Sequence, residues 1–209
     1  MKAKKVMVIH VKDDIEKEEL MKELQKLELP AFIYVHGKLN SLKINIQGTK
    51  DEIREAMQKV RDIHQRVRSR LYPDRRGFYQ YNIDDIFREA GTSVSVPILL
   101  KTLELLGEKA ELRDNRLISS LPWNEIVELT KKLGEALSEV ALQTTRQIRE
   151  VVLPVAIAFE LEPEEVLDIA LELGVAEYKE DKFKYELIKN KEQALEIMLK
   201  KLTGEENED

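Results

Sequence analysis

The sequence predicts an α+β fold, a βαββα half-domain followed by two helix–hairpin–helix (αββα) units. Three observations predict it. Leu42, Ile44 and Ile46 alternate with Lys43, Asn45 and Gln47, the two-residue period of a strand with one face in a core and one in water. Ile53, Met57, Val60, Ile63, Val67 and Leu71 recur at helical spacing. Residues 99–107 (LLKTLELLG) line up with 166–174 (VLDIALELG), and each is followed by a hairpin signal and a further helix. A lone hairpin is marginal in water, so each must be covered by its helices or paired with another hairpin.

Val6 to Val11 is an apolar, β-branched run that reads as a buried strand. Asp13 and Asp14 open a helix with Leu20, Leu24 and Leu27 on one face, and Pro30 closes the connection. Ala31 to His36 is the second strand, Gly37–Asn40 the turn, and the alternating run the third strand. Thr49 is the expected N-cap of a long helix that ends near Pro73. Over residues 1–73 this order is five sixths of a ferredoxin-like βαββαβ domain, the sixth strand coming from later in the chain or from another copy. A three-stranded sheet with two helices, complete as it stands, is the alternative. Asp74 to Asn82 reads as a basic, aromatic linker.

Residues 83–153 form the first αββα unit. Ile83–Glu89 is a short helix ended at Gly91, and 96–106 is a second with Leu99, Leu100, Leu103 and Leu106 as its apolar face. Gly107 fits the position after a helix end. Asp114-Asn115 supplies hairpin-turn chemistry between Glu108–Arg113 and Arg116–Ser119. Pro122 precedes a long amphipathic helix from Trp123, with Ile126, Leu129, Leu133, Leu137 and Val140 in period. The helical pattern runs on to Val152, and Pro154 is expected to kink or end it. Residues 154–203 form the second unit: a helix from Pro163 to Gly174, a hairpin around Glu180-Asp181, and a helix from about Lys191 to Leu202. The tail 204–209 is acidic and expected to be disordered.

The 209 residues are 43% apolar, enough for a sizeable core, and 35% charged. Lysine and glutamate dominate that excess, a pattern associated with growth at high temperature. The absence of cysteine excludes disulfides, thiolate nucleophiles and Cys-based metal sites. The first apolar stretch is too short for a signal or membrane span, so a cytoplasmic location is expected. There is no GxxxxGK[ST], GxGxxG or GxSxG, which leaves phosphate-loop, dinucleotide and hydrolase chemistry without support. The pairs Asp13-Asp14, Asp84-Asp85 and Glu164-Glu165 all fall at predicted helix N-termini, where the macrodipole favours negative charge. His10 and His36 lie on predicted strands of one sheet with no metal-ligand spacing, so no metal and no cofactor is called for.

The strongest local feature is residues 59–81, with seven lysines and arginines against two aspartates in a chain of net charge −6. Arg61, Arg66, Arg68, Arg70, Arg75 and Arg76 are interleaved with and followed by Tyr72, Phe78, Tyr79 and Tyr81. A guanidinium offers a planar fork for phosphate, and an aromatic ring offers a platform for an unstacked base. These ten residues are the candidate contacts for RNA or single-stranded DNA. The competing account is a solvated helix face whose arginines pair with glutamates.

Gly77-Phe78-Tyr79, Gly91-Thr92-Ser93-Val94, Leu103–Gly107 and Leu121-Pro122-Trp123-Asn124 give the whole chain a resemblance to a family of conserved archaeal proteins with no assigned activity. That resemblance implies no reaction. The αββα order is also similar to half of a LAGLIDADG homing endonuclease, which Leu103–Gly107, the strand to Arg113 and Leu117-Ile118-Ser119 fit in layout. Neither Leu103–Gly107 nor Ala170–Gly174 carries that family's acidic metal-binding residue. The expected function is therefore non-enzymatic nucleic-acid binding, RNA preferred. Its competitors are a protein–protein interaction or scaffold module, homodimeric in one version and argued from the leucine-rich faces at 96–106 and 126–140, and a degenerate nuclease-like fold.

Overall fold

The computed structural model describes residues 2–29, 31–37 and 39–204. The expectations placed on Pro30, on Lys38 and on the acidic tail beyond Gly204 lie outside them. The described residues form a mixed α+β structure of eight α-helices and three small sheets. Contacts divide the chain into two compact units, residues 1–80 and 81–209.

The first unit holds β1 (Ala3–His10), α1 (Asp14–Gln25), β2 (Phe32–Gly37), β3 (Ser41–Gly48) and α2 (Lys50–Leu71). β3 lies in the middle and runs antiparallel to both β1 and β2. Strand alternation sends Met7 and Ile9 of β1 and Leu42, Ile44 and Ile46 of β3 to one face. There they meet Leu20 and Leu24 of α1 and Ile53, Val60, Ile63 and Val67 of α2. Burying each such side chain is worth about 1.5–3 kcal/mol. Thr49 caps α2 as expected: its hydroxyl accepts from the Glu52 N–H while the Glu52 carboxylate accepts from the Thr49 N–H. Asp13 caps α1 by accepting from the Glu16 N–H.

The second unit opens in β4 (Tyr79–Asn82), so the end of the segment read as linker is a strand. Next come α3 (Ile83–Ala90), α4 (Val96–Leu105), β5 (Ala110–Arg113), β6 (Arg116–Ser119) and α5 (Trp123–Val140). The strand order is β4-β6-β5. A 3-10 turn at Ala141–Gln143 breaks the helical run before α6 (Arg146–Ala158). After it come α7 (Pro163–Glu172), the hairpin of β7 (Ala176–Lys179) and β8 (Lys184–Leu187), and α8 (Lys191–Thr203).

α6 runs through Pro154 to Ala158 instead of ending there. Proline removes one helical N–H and leaves the Glu150 carbonyl without its usual donor. Burial offsets that loss, because Val151 to Ala156 are all buried and α6 packs on α4, α5, α7 and α8. Packing inside the chain takes up most of the leucine-rich faces: Leu99 and Leu103 of α4 and Ile126, Leu129, Leu133 and Val140 of α5 are buried, Leu100 and Leu137 are half-buried, and Leu106 is exposed. Among the described residues no helix is long and apolar enough to cross a membrane.

Candidate nucleic-acid interface

The long helix α2 is amphipathic, with its apolar stripe on the sheet and its arginines distributed over the remaining surface. Three of those arginines are held by α1, whose Glu16, Glu19 and Glu23 succeed one another at helical spacing. Arg66 Nη2 lies 3.2 Å from Glu23 Oε2, Arg70 Nη2 3.1 Å from Glu19 Oε2, and Arg68 Nε 3.1 Å from Glu16 Oε1. Arg70 is only 8% exposed. It stitches α1 to α2 and, being buried, is not the surface phosphate contact expected of it.

Glu16 is the hub of this side of the unit. Its side chain is fully buried, so its charge must be met by donors. It accepts from the Lys12 N–H at 2.7 Å, shares a hydrogen bond with His64 Nε2 at 2.9 Å, and forms an ion pair with Arg68, whose Nε lies 3.1 Å away. One residue beyond the end of α2, the Tyr72 hydroxyl donates to Asp13 Oδ2. That bond, with the Glu16 N–H, holds the Asp13 carboxyl below its ordinary range. Burial, and then the same bond to Asp13, pushes the Tyr72 hydroxyl well above the ordinary tyrosine value. The pair is thus a neutral phenol donating to a charged carboxylate.

Beside this network lies a shallow cleft of about 340 Å³. It is lined by the cations Lys12 and Arg68, the rings of Tyr72 and Phe78 and the amides of Gln65 and Gln80. Ser69, Pro73 and Asp74 complete it. Asp74 folds the adjoining turn, accepting from the N–H groups of Arg76 and Phe78. The Phe78 bond chiefly, with the Arg76 N–H and guanidinium, lowers its carboxyl and keeps it charged. The Lys12 ammonium sits 4.3 Å from the centre of the Tyr72 ring, and the Arg76 guanidinium 5.4 Å from that of Phe78. Each ring therefore has a cation over one face.

The ten predicted contacts do not all fall together. Arg68, Tyr72 and Phe78 come together at the cleft, with Arg75 and Arg76 on the exposed turn beside it. Arg61 is exposed on α2, and neither it nor Arg75 holds an ion pair among the described residues. Arg66 and Arg70 are engaged by α1, as is Arg68 through its Nε while half of its side chain stays exposed to the cleft, and Tyr79 is half-buried on β4. Tyr81 is a correction: it is 1% exposed, its hydroxyl donates to the Leu121 carbonyl at 2.7 Å, and its ring packs 5.3 Å from Trp123. A ring so enclosed offers no face to a base. His10 and His36 stand on the two outer strands of their sheet, the register setting His10 against Ser41 and His36 against Lys43.

Sequence reasoning missed Glu16, Lys12, Gln65 and Gln80. The available signal was the run of glutamates on α1 at the spacing of the arginines on α2.

The sequence profile of a family described as "Uncharacterized protein conserved in archaea (DUF2067)" matches residues 9–196. No curated protein matches the chain. A solved structure, "Crystal structure of a/eIF2alpha-aDim2p-rRNA complex from Pyrococcus horikoshii OT3", aligns with 17% identity over 76% of this chain and 96% of that one. Its TM-score is 0.21, too low for the likeness to carry any inference about fold or ligand.

Proposed function

The chain belongs to this archaeal family, and we propose that it binds nucleic acid, RNA in preference to DNA, without catalysing a reaction. The observation that carries the reading is the cleft at the end of α2, where two cations, two rings and two amides converge. Each ring has a cation over one face, so a base stacked on the other face or at the ring edge has a phosphate partner close by. Gln65, Gln80 and the Ser69 hydroxyl are groups that can read a ribose 2′-hydroxyl, which is the basis for preferring RNA. The proposed contacts are Arg61, Arg68, Arg75 and Arg76 with Tyr72, Phe78 and Tyr79. Arg66 and Arg70 brace the helix pair that carries them.

Charge supports the same reading. Residues 1–80 hold 18 lysines and arginines against 12 acids, and residues 81–209 hold 16 against 28. The first unit is cationic within an anionic chain, and a polyanion responds to the local distribution.

The reading also takes residues 1–73 as a ferredoxin-like half-domain, which the strand order β1-β3-β2 supports. It takes 83–153 and 154–203 as two related units. Gly107 and Gly174 both adopt positive φ, and both helix ends close with the same pattern, Glu108 N–H to Leu103 O and Val175 N–H to Ala170 O.

The test is fluorescence anisotropy with a labelled single-stranded RNA of about twelve nucleotides, within the usual site sizes. Saturable binding is expected, weakening as salt rises by a log–log slope of about 0.7 per phosphate contact. Arg75→Ala with Arg76→Ala should flatten that slope, and Phe78→Ala should weaken binding about tenfold. Absence of saturable binding by the intact chain at low salt would sink the proposal.

A further inference from the structure

The sheet of the first unit has two faces, and the helices cover only one. Residues that alternate with the core set stand on the other face: Val6 and Val8 on β1, Lys43 and Asn45 on β3, Tyr34 and His36 on β2. Register places them in rows across the sheet, Val6–Asn45–Tyr34 and then Val8–Lys43–His36. Lys4 extends the face at one end and His10 at the other. Val6 is 49% exposed, Val8 56% and Tyr34 57%. A strand face that merely meets water carries polar side chains. This one keeps two valines and a tyrosine in the open.

Its charge is equally unusual. The 22 residues of β1, β2 and β3 contain no aspartate or glutamate, in a chain with 40 acids among 209 residues. The face instead offers two lysines, two imidazoles, a phenol and the amides of Asn45 and Gln47. We infer that this open sheet face is a second nucleic-acid surface, one on which the bases of an extended single strand stack while its phosphates run past Lys43 and Lys4. Tyr34 and His36 stand two residues apart on one strand, about 6.6 Å, close to the rise of an extended single strand per nucleotide. Tyrosine and histidine rings are both platforms for unstacked bases. Asn45 beside Tyr34 and Lys43 beside His36 put a base-edge partner and a phosphate partner next to each ring. A protein partner would leave the missing acids unexplained, whereas a polyanion requires their absence.

None of these residues lines the cleft at the end of α2, so the two surfaces can be tested apart. The experiment uses the full chain with dye-labelled oligouridine and oligothymidine of equal length. Tyr34→Ala with His36→Ala should weaken binding of the oligonucleotide about tenfold with an unchanged melting temperature, and Lys43→Ala should flatten the salt slope. Tyr34→Phe should restore the affinity lost at that position, since stacking needs the ring and not the hydroxyl. Binding of either oligomer supports the inference, and their relative affinity says whether ribose or deoxyribose is preferred. Full affinity in the Tyr34/His36 variant overturns it; if the Arg75/Arg76 variant has meanwhile lost affinity, the cleft alone is the site. No binding of either oligomer by the unsubstituted chain overturns both readings. Unchanged oligonucleotide affinity with self-association lost in light scattering would make the face a contact between copies, which also overturns it.

Discussion

Tyr72 and Asp13 join the end of the long helix to the start of the first helix through one hydrogen bond, and that bond has a predictable pH signature. The Asp13 carboxyl titrates below its ordinary range in the folded chain. Its contribution is present above the unfolded value of about 3.9 and is lost as pH falls through the lower folded value. Tyr72 is raised, so its contribution is complete below the unfolded value of about 10 and is lost as pH rises through the folded one. The melting temperature of the unsubstituted chain minus that of Tyr72→Phe should therefore be greatest between about pH 5 and 9 and shrink on both sides. A difference that is flat with pH would mean that the bond does not form in solution. At this scale the sequence was legible in part. It named Tyr72 and Arg68, which do meet at the cleft. It also named Arg70 and Tyr81, which are buried. An arginine looks the same in sequence whether it faces water or a glutamate 51 positions earlier in the chain, and only the packing of α1 on α2 decides.

Elements were the most legible level, because caps and periods are local. Thr49, Asp13 and Asn82 each accept from a helical N–H at the expected helix start. Periodicity says that one side of a helix is buried but not against what, and so the stripes of α4 and α5 admitted a partner where α6 packs on α4, and α3 and α6 on α5. Close approach between two elements leaves no such local trace. Gly134 lies inside α5, where glycine costs about 1 kcal/mol relative to alanine. Propensity alone predicts that Gly134→Ala stabilises. A Cβ there would meet Thr92 at 2.5 Å from Cγ2, 2.6 Å from Oγ1 and 3.0 Å from Cβ. Thr92 is β-branched and cannot swing all three atoms away. Gly134→Ala should thus destabilise by about 1–3 kcal/mol in urea titrations, and Thr92→Gly in the same chain should recover most of the loss. Stabilisation by the single change would show that the helix and the Thr92 segment do not approach this closely.

For the whole molecule, the net charge of −6 was readable at once, but its division was not, because the boundary at residue 80 belongs to the fold. Divided there, the first unit carries +6 and the second −12. At about 0.15 M salt the field of a surface charge decays within roughly 8 Å, so a polyanion touching the first unit feels that unit's own cations more than the total. A protein judged by net charge should pass straight through heparin at pH 7. This one should be retained at low salt and released as salt rises, because each contact with the polyanion displaces counterions. Arg75→Glu with Arg76→Glu should bring elution to lower salt. Reversing Lys131 and Lys132, which are exposed on α5 in the anionic unit, should leave it nearly unchanged. Flow-through of the unsubstituted chain at low salt would mean that the cations of residues 1–80 are neutralised by the acids around them. In that case the ion pairs of Arg66, Arg68 and Arg70 with α1 would account for the arginine cluster without a nucleic-acid ligand.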